Sequence, residues 1–262
     1  MTQILIPQVI RFMESEDQQW QQILDRLPDG FERCNGMISE KIKPVSLASR
    51  KCLVDKYCPA ELRQEISQSR KNQHCIIRIY LGRRRLMHHT QRPIKFFSLR
   101  NFPLHSDQAE ELNLPCEIYT KGMAEALATL HWKLRIDGAD VEFVLGAPRD
   151  TIDDDSGFDR PLAEHPLWML DYDCSRPIAA DETGLTAIAR AFWRNDPYYP
   201  RPSTSEGDLR GDQRLWAIFS AEYRRVGREI VKAYPREGED VEVLCALVDG
   251  AISTIEETRG RF

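Results

Sequence analysis

The sequence predicts an α+β fold in two parts: a small N-terminal lobe of one helix and a sheet over residues 1–100, and a larger, mainly helical lobe over residues 101–262. Two observations support this prediction. Segments rich in β-branched and aromatic residues dominate the chain before Pro103, and apolar residues at helical spacing dominate it afterwards. A chain of 262 residues is also long enough to bury a sizeable core.

The N-terminal lobe is predicted to begin with an amphipathic helix. Apolar residues at close to helical spacing run from Gln8 to Leu27, and Pro28-Asp29-Gly30 ends the pattern. The segments MISEKIKP, HCIIRIYLG and IKFFSLRNF then predict strands. The second of these is the clearest, because β-branched and aromatic residues fill it.

The C-terminal lobe is predicted to be mainly helical. Pro115 opens one helix, and apolar spacing predicts others over 182–194, 212–234 and 238–257. Between them lie two short apolar runs, VEFVLG and LWMLDYD, which are separated by an acidic segment that contains glycine and proline. This pattern predicts a hairpin-like pair of strands joined by a long, mobile loop.

Charge is distributed unevenly along a chain whose formal net charge is −5. Ten Lys or Arg residues and one acid, Glu65, lie between positions 63 and 100, whereas eleven Asp or Glu residues lie between positions 137 and 173. The basic block could meet a polyphosphate, and the acidic block could meet a cation. The alternative for either block is a solvated surface on which like charges happen to cluster.

Cysteine content and missing motifs narrow the class of protein. The seven cysteines are odd in number and form no C-x-x-C pair, and no apolar run is long enough to cross a bilayer. We therefore expect a reduced, cytoplasmic protein with no membrane partner. Phosphate-binding, dinucleotide-binding, HExxH and GxSxG motifs are missing from the sequence, and we predict neither a cofactor nor a metal site.

The stretch ALATLHWKLRIDGADVEFVLG places three acids, Asp137, Asp140 and Glu142, between a helix and a strand. His131 ends the helix, and the second apolar run ends at Asp171 in LDYD. This order resembles the catalytic-loop and metal-binding motifs of kinase-like phosphotransferases, although the glycine-rich loop and the strand lysine are missing. The resemblance implies a kinase-like two-lobe arrangement with the acids at the junction of the lobes.

Longer segments resemble a second family over nearly the whole chain. They are IRIYLGRRR, FFSLRNFPLHSDQAEELNL, YTKGMAEALATLHWKLRIDGADVEFVLGAP, HPLWMLDYDCSRPI and AFWRNDPYYPRP, in this order. On these segments the chain is identified as a member of the filamentous-fungal family of arginine-containing cyclodipeptide synthases, formerly a domain of unknown function beside zinc-finger names. The resemblance implies that arginyl-tRNA and a second aminoacyl-tRNA condense to a cyclo(Arg-Xaa) diketopiperazine in secondary metabolism, without ATP and without DNA as a partner.

This chemistry gives the acidic block a role. A substrate guanidinium requires carboxylates that can accept parallel N–H bonds, so we predict one acidic pocket at the lobe junction. Glu142 has the longest reach and is the predicted general base. The predicted catalytic residues are Glu142, Asp137 and Asp140, and the predicted substrate-binding residues are Asp171, Asp173 and His131.

The basic block is predicted to contact RNA through Arg83, Arg84 and Arg85, because arginines bind phosphates independently of base sequence. Structural alternatives stay open: the acids could cap strand ends and pair with arginines, and the three arginines could lie on a solvated turn. Two other functions also stay open. They are a kinase-like small-molecule phosphotransferase, with magnesium at Asp171, and a non-catalytic RNA-binding module.

Overall fold

The computed structural model describes residues 4–85, 96–151, 161–202 and 210–262. The strands are β1 (Val9–Met13), β2 (Gly36–Ser39), β3 (Ile77–Tyr80), β4 (Phe102–His105), β5 (Glu142–Leu145) and β6 (Leu167–Leu170). The helices are α1 (Trp20–Ile23), α2 (Leu47–Tyr57), α3 (Arg63–Gln68), α4 (Arg70–Gln73), α5 (Ser106–Glu111), α6 (Cys116–Ala128), α7 (Glu182–Arg194), α8 (Arg210–Ala233) and α9 (Val241–Glu257). A π-helical segment, Thr129–Leu134, continues α6.

The central element is a four-stranded mixed sheet in the order β4-β3-β5-β6. β3 is parallel to β4 and antiparallel to β5, and β5 is antiparallel to β6. The carboxyl ends of β3, β4 and β6 therefore lie at the same end of the sheet as the first residue of β5, Glu142. This end carries the candidate site.

The mixed α+β class is confirmed, but the kinase-like two-lobe arrangement is not. β3 belongs to the predicted N-terminal lobe and β5 to the predicted C-terminal lobe, yet they pair directly, with Ile77 opposite Leu145. The predicted hairpin-like pair is confirmed, because Glu142 of β5 lies opposite Leu170 of β6. The middle of the connecting loop, positions 152–160, lies outside the described residues.

The C-terminal helices form the main helical layer. Pro115 is the N-cap of α6, and α7, α8 and α9 lie where apolar spacing predicts helices, within a few residues at their ends. α6 packs on α8, and α9 packs on both α7 and α8. Phe143 of β5 and Phe219 of α8 belong to the same buried core, so the sheet and the helices stabilise each other.

The predicted N-terminal helix over Gln8–Leu27 is wrong. Residues Val9–Met13 form β1, which pairs with β2 in a two-stranded antiparallel sheet, and only Trp20–Ile23 is α-helical. The apolar residues of this segment include Val9, Ile10 and Phe12, whose β-branched and aromatic side chains suit a strand. Over so short a run, helical spacing does not separate the two structures.

The expectation that the first hundred residues are mostly sheet is also wrong. α2 and α3 fill part of that region, and the Ser46 side chain caps α2 by accepting a hydrogen bond from the N–H of Ser49 at 3.1 Å. The buried residues of α2 include polar Ser49 and Arg50, so the helix has no clear apolar stripe by which it could be predicted. The third predicted strand is displaced: β4 begins at Phe102, and positions 94 and 95 lie outside the described residues.

None of the helices in the described parts of the chain is long and apolar enough to span a membrane.

Candidate functional site

The polar side chains at the end of the sheet are brought together by backbone pairing beside it. The N–H of Asp137 donates to the carbonyl of Arg176, and the N–H of Ile178 donates to the carbonyl of Arg135, each at 2.9 Å. These bonds hold the chain before β5 against the chain after β6. The acids of both segments therefore lie at one end of the sheet.

Asp137 organises the turn that leads into β5. Its Oδ1 accepts the backbone N–H of Ala139 at 3.1 Å and that of Arg176 at 2.9 Å. A carboxylate used in this way fixes the turn in the manner of an Asx-turn. The predicted catalytic residue Asp137 is thus occupied with backbone donors.

His131 lies in the core, 1% exposed, and supports the same turn. Trp132 Nε1–H donates to the Tyr223 hydroxyl at 2.9 Å, so this hydroxyl donates in turn to His131 Nδ1, 2.7 Å away. The proton of His131 is then on Nε2, which donates to the carbonyl of Asp137 at 3.2 Å. Burial lowers the pKa of His131 to about 4, so the ring is neutral at physiological pH and has a structural role.

Gly82 allows the loop after α7 to approach the end of β3. Its N–H donates to the carbonyl of Pro197 at 2.9 Å. A Cβ at position 82 would lie 2.1 Å from the carbonyl oxygen of Tyr199, a distance that only glycine tolerates. This close approach brings Asp196 and Tyr198 to the same end of the sheet as Glu142.

Acids from three segments are close enough there to influence each other's ionisation. Burial raises the pKa of Glu142, and the charges of Asp171 and Asp196 raise it further, while Arg78 lowers it. Burial also raises the pKa of Asp171, together with a hydrogen bond to Asp173 and the charges of Asp173 and Asp140. We call this set the carboxylate cluster: Asp140, Glu142, Asp171, Asp173 and Asp196.

Backbone conformation contributes to the cluster. Asp140 and Asp171 have φ angles of 63° and 67°, in the left-handed region that few non-glycine residues adopt. Such a conformation costs on the order of 1 kcal/mol or more, and it often occurs at functional sites. Asp171 directly follows the last residue of β6, and its carboxyl group is hydrogen-bonded to that of Asp173.

Arg78 of β3 forms ion pairs with two members of the cluster. Its Nη2 donates to Glu142 Oε1, and its Nη1 lies 3.6 Å from Asp196 Oδ2. Tyr80, on the same face of β3, donates its hydroxyl to Asp196 Oδ2 at 2.7 Å. Among the described residues, Arg78 is the arginine that forms ion pairs with the cluster, so the carboxylates remain in excess.

The cluster is open to solvent on one side. Glu142 is half-buried with 16% of its side chain exposed, whereas the Asp196 side chain is 51% exposed. Asp140, Asp171 and Asp173 are also exposed. A cationic group can therefore reach the carboxylates from solvent, and two carboxyl groups with raised pKa values can accept or release a proton nearer neutrality than ordinary acids.

Four of the acids in the predicted pocket lie in the carboxylate cluster, and two predicted residues do not. Asp140 and Glu142 precede or begin β5, and Asp171 and Asp173 follow β6. Asp137 and His131 instead hold the turn through backbone contacts. The geometry therefore divides the predicted residues into a cluster that can meet a ligand and a supporting pair.

The three predicted RNA-binding arginines differ in their surroundings. Arg84 is held between Glu110, at 2.6 Å, and Asp212, at 2.8 Å, and Arg85 pairs with Asp107 at 2.7 Å. Arg83 is exposed and forms no ion pair with a described residue. Of these three arginines, it is therefore the one whose guanidinium can bind a phosphate.

The sequence interpretation did not identify four residues at this site: Arg78, Tyr80, Asp196 and Tyr198. A signal was present for each. Arg78 interrupts the apolar strand segment IIRIYLG, which is unusual for a buried strand, and Tyr80 follows it two residues later on the same face. Asp196 and Tyr198 belong to the quoted segment AFWRNDPYYPRP. Within the described residues, no three His, Cys, Asp or Glu side chains are arranged to hold a metal ion.

Residues 167–235 match a family model described as "DUF3669: Zinc finger protein". The match spans β6, α7 and α8, which is less than half of the chain. No curated protein and no solved structure matches the chain. The matched segment contains one cysteine, Cys174, and no histidine, so it lacks the four Cys or His ligands of a structural zinc site.

This match corrects the family expected from the sequence. The family found is described as a zinc finger protein, and nothing among the matches indicates a cyclodipeptide synthase family, so that assignment is wrong. Any activity must therefore be argued from the site itself.

Proposed function

We propose that this chain condenses arginyl-tRNA with a second aminoacyl-tRNA to form a cyclo(Arg-Xaa) diketopiperazine. The observation that carries the proposal is the carboxylate cluster, which gathers five acids around one ion-paired arginine at an open end of the sheet. An excess of carboxylates favours a cationic ligand. A planar guanidinium fits best, because it donates pairs of N–H bonds to carboxylates.

The exposed aspartates of the cluster would bind the substrate guanidinium. Burial raises the pKa of Asp171, and a hydrogen bond to Asp173 and repulsion by the Asp173 charge raise it further. A bound guanidinium would remove that repulsion. The binding energy of the arginyl side chain would then fix the ester of the same substrate for reaction.

The reaction needs a proton acceptor but no further activation, because an aminoacyl ester is already an activated acyl group. The amine of one aminoacyl group attacks the ester carbonyl of the other, a carboxylate removes the amine proton, and one tRNA leaves. The free amine of the resulting dipeptidyl ester then attacks the remaining ester in the same way, which closes the ring and releases the second tRNA. Glu142 is the proposed base. Its raised pKa supports this role, because a base with a pKa nearer neutrality holds the proton better during amine attack.

Arg83 would contact the phosphates of the tRNA acceptor arm. It lies shortly after β3, whose end carries the site. Burial lowers the pKa of His105 at the end of β4, and the charge of Arg83 lowers it further, so Arg83 is near that end of the sheet. Under this proposal we expect the protein to be cytoplasmic, because aminoacyl-tRNAs occur in the cytoplasm. The kinase-like two-lobe arrangement remains a prediction within it.

Expression in a bacterial host, followed by mass spectrometry of the medium, tests the proposal. We expect arginine-containing diketopiperazines from the parent chain and none from a Glu142→Gln, Asp171→Asn double variant. Glu257→Gln, which removes a charge at the end of α9, is the matched control and should leave the product unchanged.

The same protein distinguishes the alternatives. Purified chain that consumes ATP and makes no cyclic dipeptide from charged tRNA would be a phosphotransferase. Chain that binds tRNA without any product, and whose RNA binding is unchanged in the double variant, would be a non-catalytic RNA-binding module. Either result would overturn the proposal.

A further inference from the structure

Tyr198 carries a buried hydroxyl that has no hydrogen-bond partner among the described residues. The side chain is 1% exposed, and its ring packs edge-on against Tyr80, at 5.1 Å between centroids, and at a tilt against Phe143, at 6.0 Å. The ring is therefore held in place. A fixed, buried donor without an acceptor is rare in a folded protein and requires an explanation.

A second unpartnered donor lies nearby, on Arg78. The Nη1 and Nη2 nitrogens face Asp196 and Glu142, but the Nε–H is buried and has no partner in the described part of the chain. The two carboxylates fix the plane of the guanidinium. The direction of the Nε–H bond is fixed with it.

The two donors share one environment. Burial raises the pKa of Tyr198, and the charge of Glu142 raises it further, whereas the charge of Arg78 lowers it. Tyr198 packs on Tyr80, whose hydroxyl binds the same Asp196 carboxylate that pairs with Arg78. Tyr198 and Arg78 therefore lie beside each other, and Arg78 also pairs with the proposed base, Glu142. Two unpaired donors beside a base are the groups that stabilise negative charge on an oxygen in acyl transfer.

We propose that the Tyr198 hydroxyl and the Arg78 Nε–H together bind the carbonyl oxygen of the arginyl ester. This inference rests on the proposed function. As the amine nitrogen attacks the carbonyl carbon, the C–N bond forms and the carbonyl electron pair moves onto this oxygen, where both donors bind it. When the carbonyl re-forms, the C–O bond to the ribose breaks, and the proton taken from the amine by Glu142 passes to the ribose oxygen.

Binding of two small ligands by calorimetry tests the donor pair separately from turnover. L-Argininamide carries a guanidinium, an amine and a carbonyl oxygen, whereas agmatine carries the first two groups only. We expect the parent chain to bind L-argininamide roughly three- to tenfold more tightly than agmatine, as one or two buried hydrogen bonds would give. Tyr198→Phe should remove most of this preference and leave agmatine binding unchanged.

Turnover and stability give further readouts for Tyr198→Phe. Loss of one oxyanion donor should lower kcat about 10²-fold. The melting temperature should stay the same or rise, because the removed hydroxyl has no partner in the free protein. Tyr119→Phe is the matched control: its hydroxyl is also buried and unpartnered, but it lies on α6, away from the cluster, so only stability should respond.

The outcomes distinguish failure of the donor pair from failure of the proposed function. A Tyr198→Phe variant with the parent's ligand preference and product yield overturns the donor pair and leaves the proposed function standing. A parent chain that makes no cyclic dipeptide, but prefers L-argininamide through Tyr198, overturns the function and retains the donor pair. A preference that Tyr119→Phe abolishes equally overturns the donor pair alone. A parent chain that binds neither ligand and makes no cyclic dipeptide overturns both.

Discussion

Asn195 accepts a hydrogen bond from the backbone N–H of Asp140 at 2.7 Å. The other end of the same amide donates to the carbonyl of Gly138 at 3.0 Å. One buried side chain after α7 thus holds both sides of the turn that places Asp140. It links the loop that contributes Asp196 to the turn that contributes Asp140, so one side chain fixes the positions of two segments of the carboxylate cluster relative to each other.

Asn195→Ala should destabilise the protein by roughly 1–3 kcal/mol, because it leaves a partly buried N–H and a buried C=O without partners. Urea denaturation measures the loss. Asn195→Asp is the matched variant: it keeps an acceptor for Asp140 but has no donor for Gly138, and it should also be destabilised. An alanine variant as stable as the parent would show that water replaces both bonds.

Glu142→Gln should lower product formation by about 10²- to 10⁴-fold, the usual contribution of a general base. The amide oxygen can still accept the hydrogen bond from Arg78, so shape and folding should be retained. Single-turnover assays with charged tRNA measure the effect, and L-argininamide binding is the control for an intact site. A variant that turns over at the parent rate would remove Glu142 from the mechanism.

Asp171→Asn should stabilise the protein at neutral pH, by no more than about 1 kcal/mol because the residue is exposed and screened. Burial and Asp173 raise the pKa of Asp171 in the folded state above its unfolded value, so the folded chain binds more protons. Stability therefore falls as pH rises from the unfolded pKa, about 3.9, through the raised pKa.

Thermal melts of parent and variant from pH 3 to pH 8 measure this linkage. The two curves should meet at the acid end, where Asp171 is protonated in both states, and separate as the pH rises. A variant that is less stable than the parent at pH 7 would show that the ionised carboxylate is stabilising, contrary to the expected sign.

Arg83→Ala should weaken tRNA binding and reduce the magnitude of its salt slope by about 1, while stability stays the same. Arg84→Ala should instead cost about 1 kcal/mol of stability, because it leaves the partly buried Asp212 and the exposed Glu110 without this partner. Filter binding at several salt concentrations measures the effect on tRNA binding, and urea denaturation measures the effect on stability. An unchanged slope for Arg83→Ala would exclude Arg83 as a phosphate contact.

The parts of the fold that the sequence predicts well are those whose pattern is local. VEFVLG and LWMLDYD are short apolar runs bounded by turn residues, and each forms a strand. α7 begins where Asp181 caps it through the N–H groups of Thr183 and Gly184, a signal visible in the sequence. The prediction of a helix at Val9–Met13 failed because this segment forms a strand by pairing with Gly36–Ser39. The spacing of apolar residues does not reveal such pairing.

The candidate site was predictable in the residues that adjoin β5 and β6, since hairpin strands bring their ends together. The distinction between Asp137 and Asp140 was not predictable. It depends on which carboxylate meets the N–H groups of Ala139 and Arg176, and so on the conformation of one turn. Arg78 and Tyr198 were missed because each joins the site through strand pairing or loop approach over long sequence separations.

The strand order β4-β3-β5-β6 also governs when the site can form during synthesis. A nascent chain that has emerged only through β4 holds β3 with one edge unpaired, and the carboxylate partners of Arg78 have not yet been made. Sheets built from segments that are distant in sequence fold slowly, because the entropy cost of closing a long loop comes before the stabilising contacts form. The end of the sheet that carries the carboxylate cluster can therefore be complete only in a chain that ribosomes have extended beyond Tyr198. Release before β5 is made leaves the edge of β3 open and prone to aggregation.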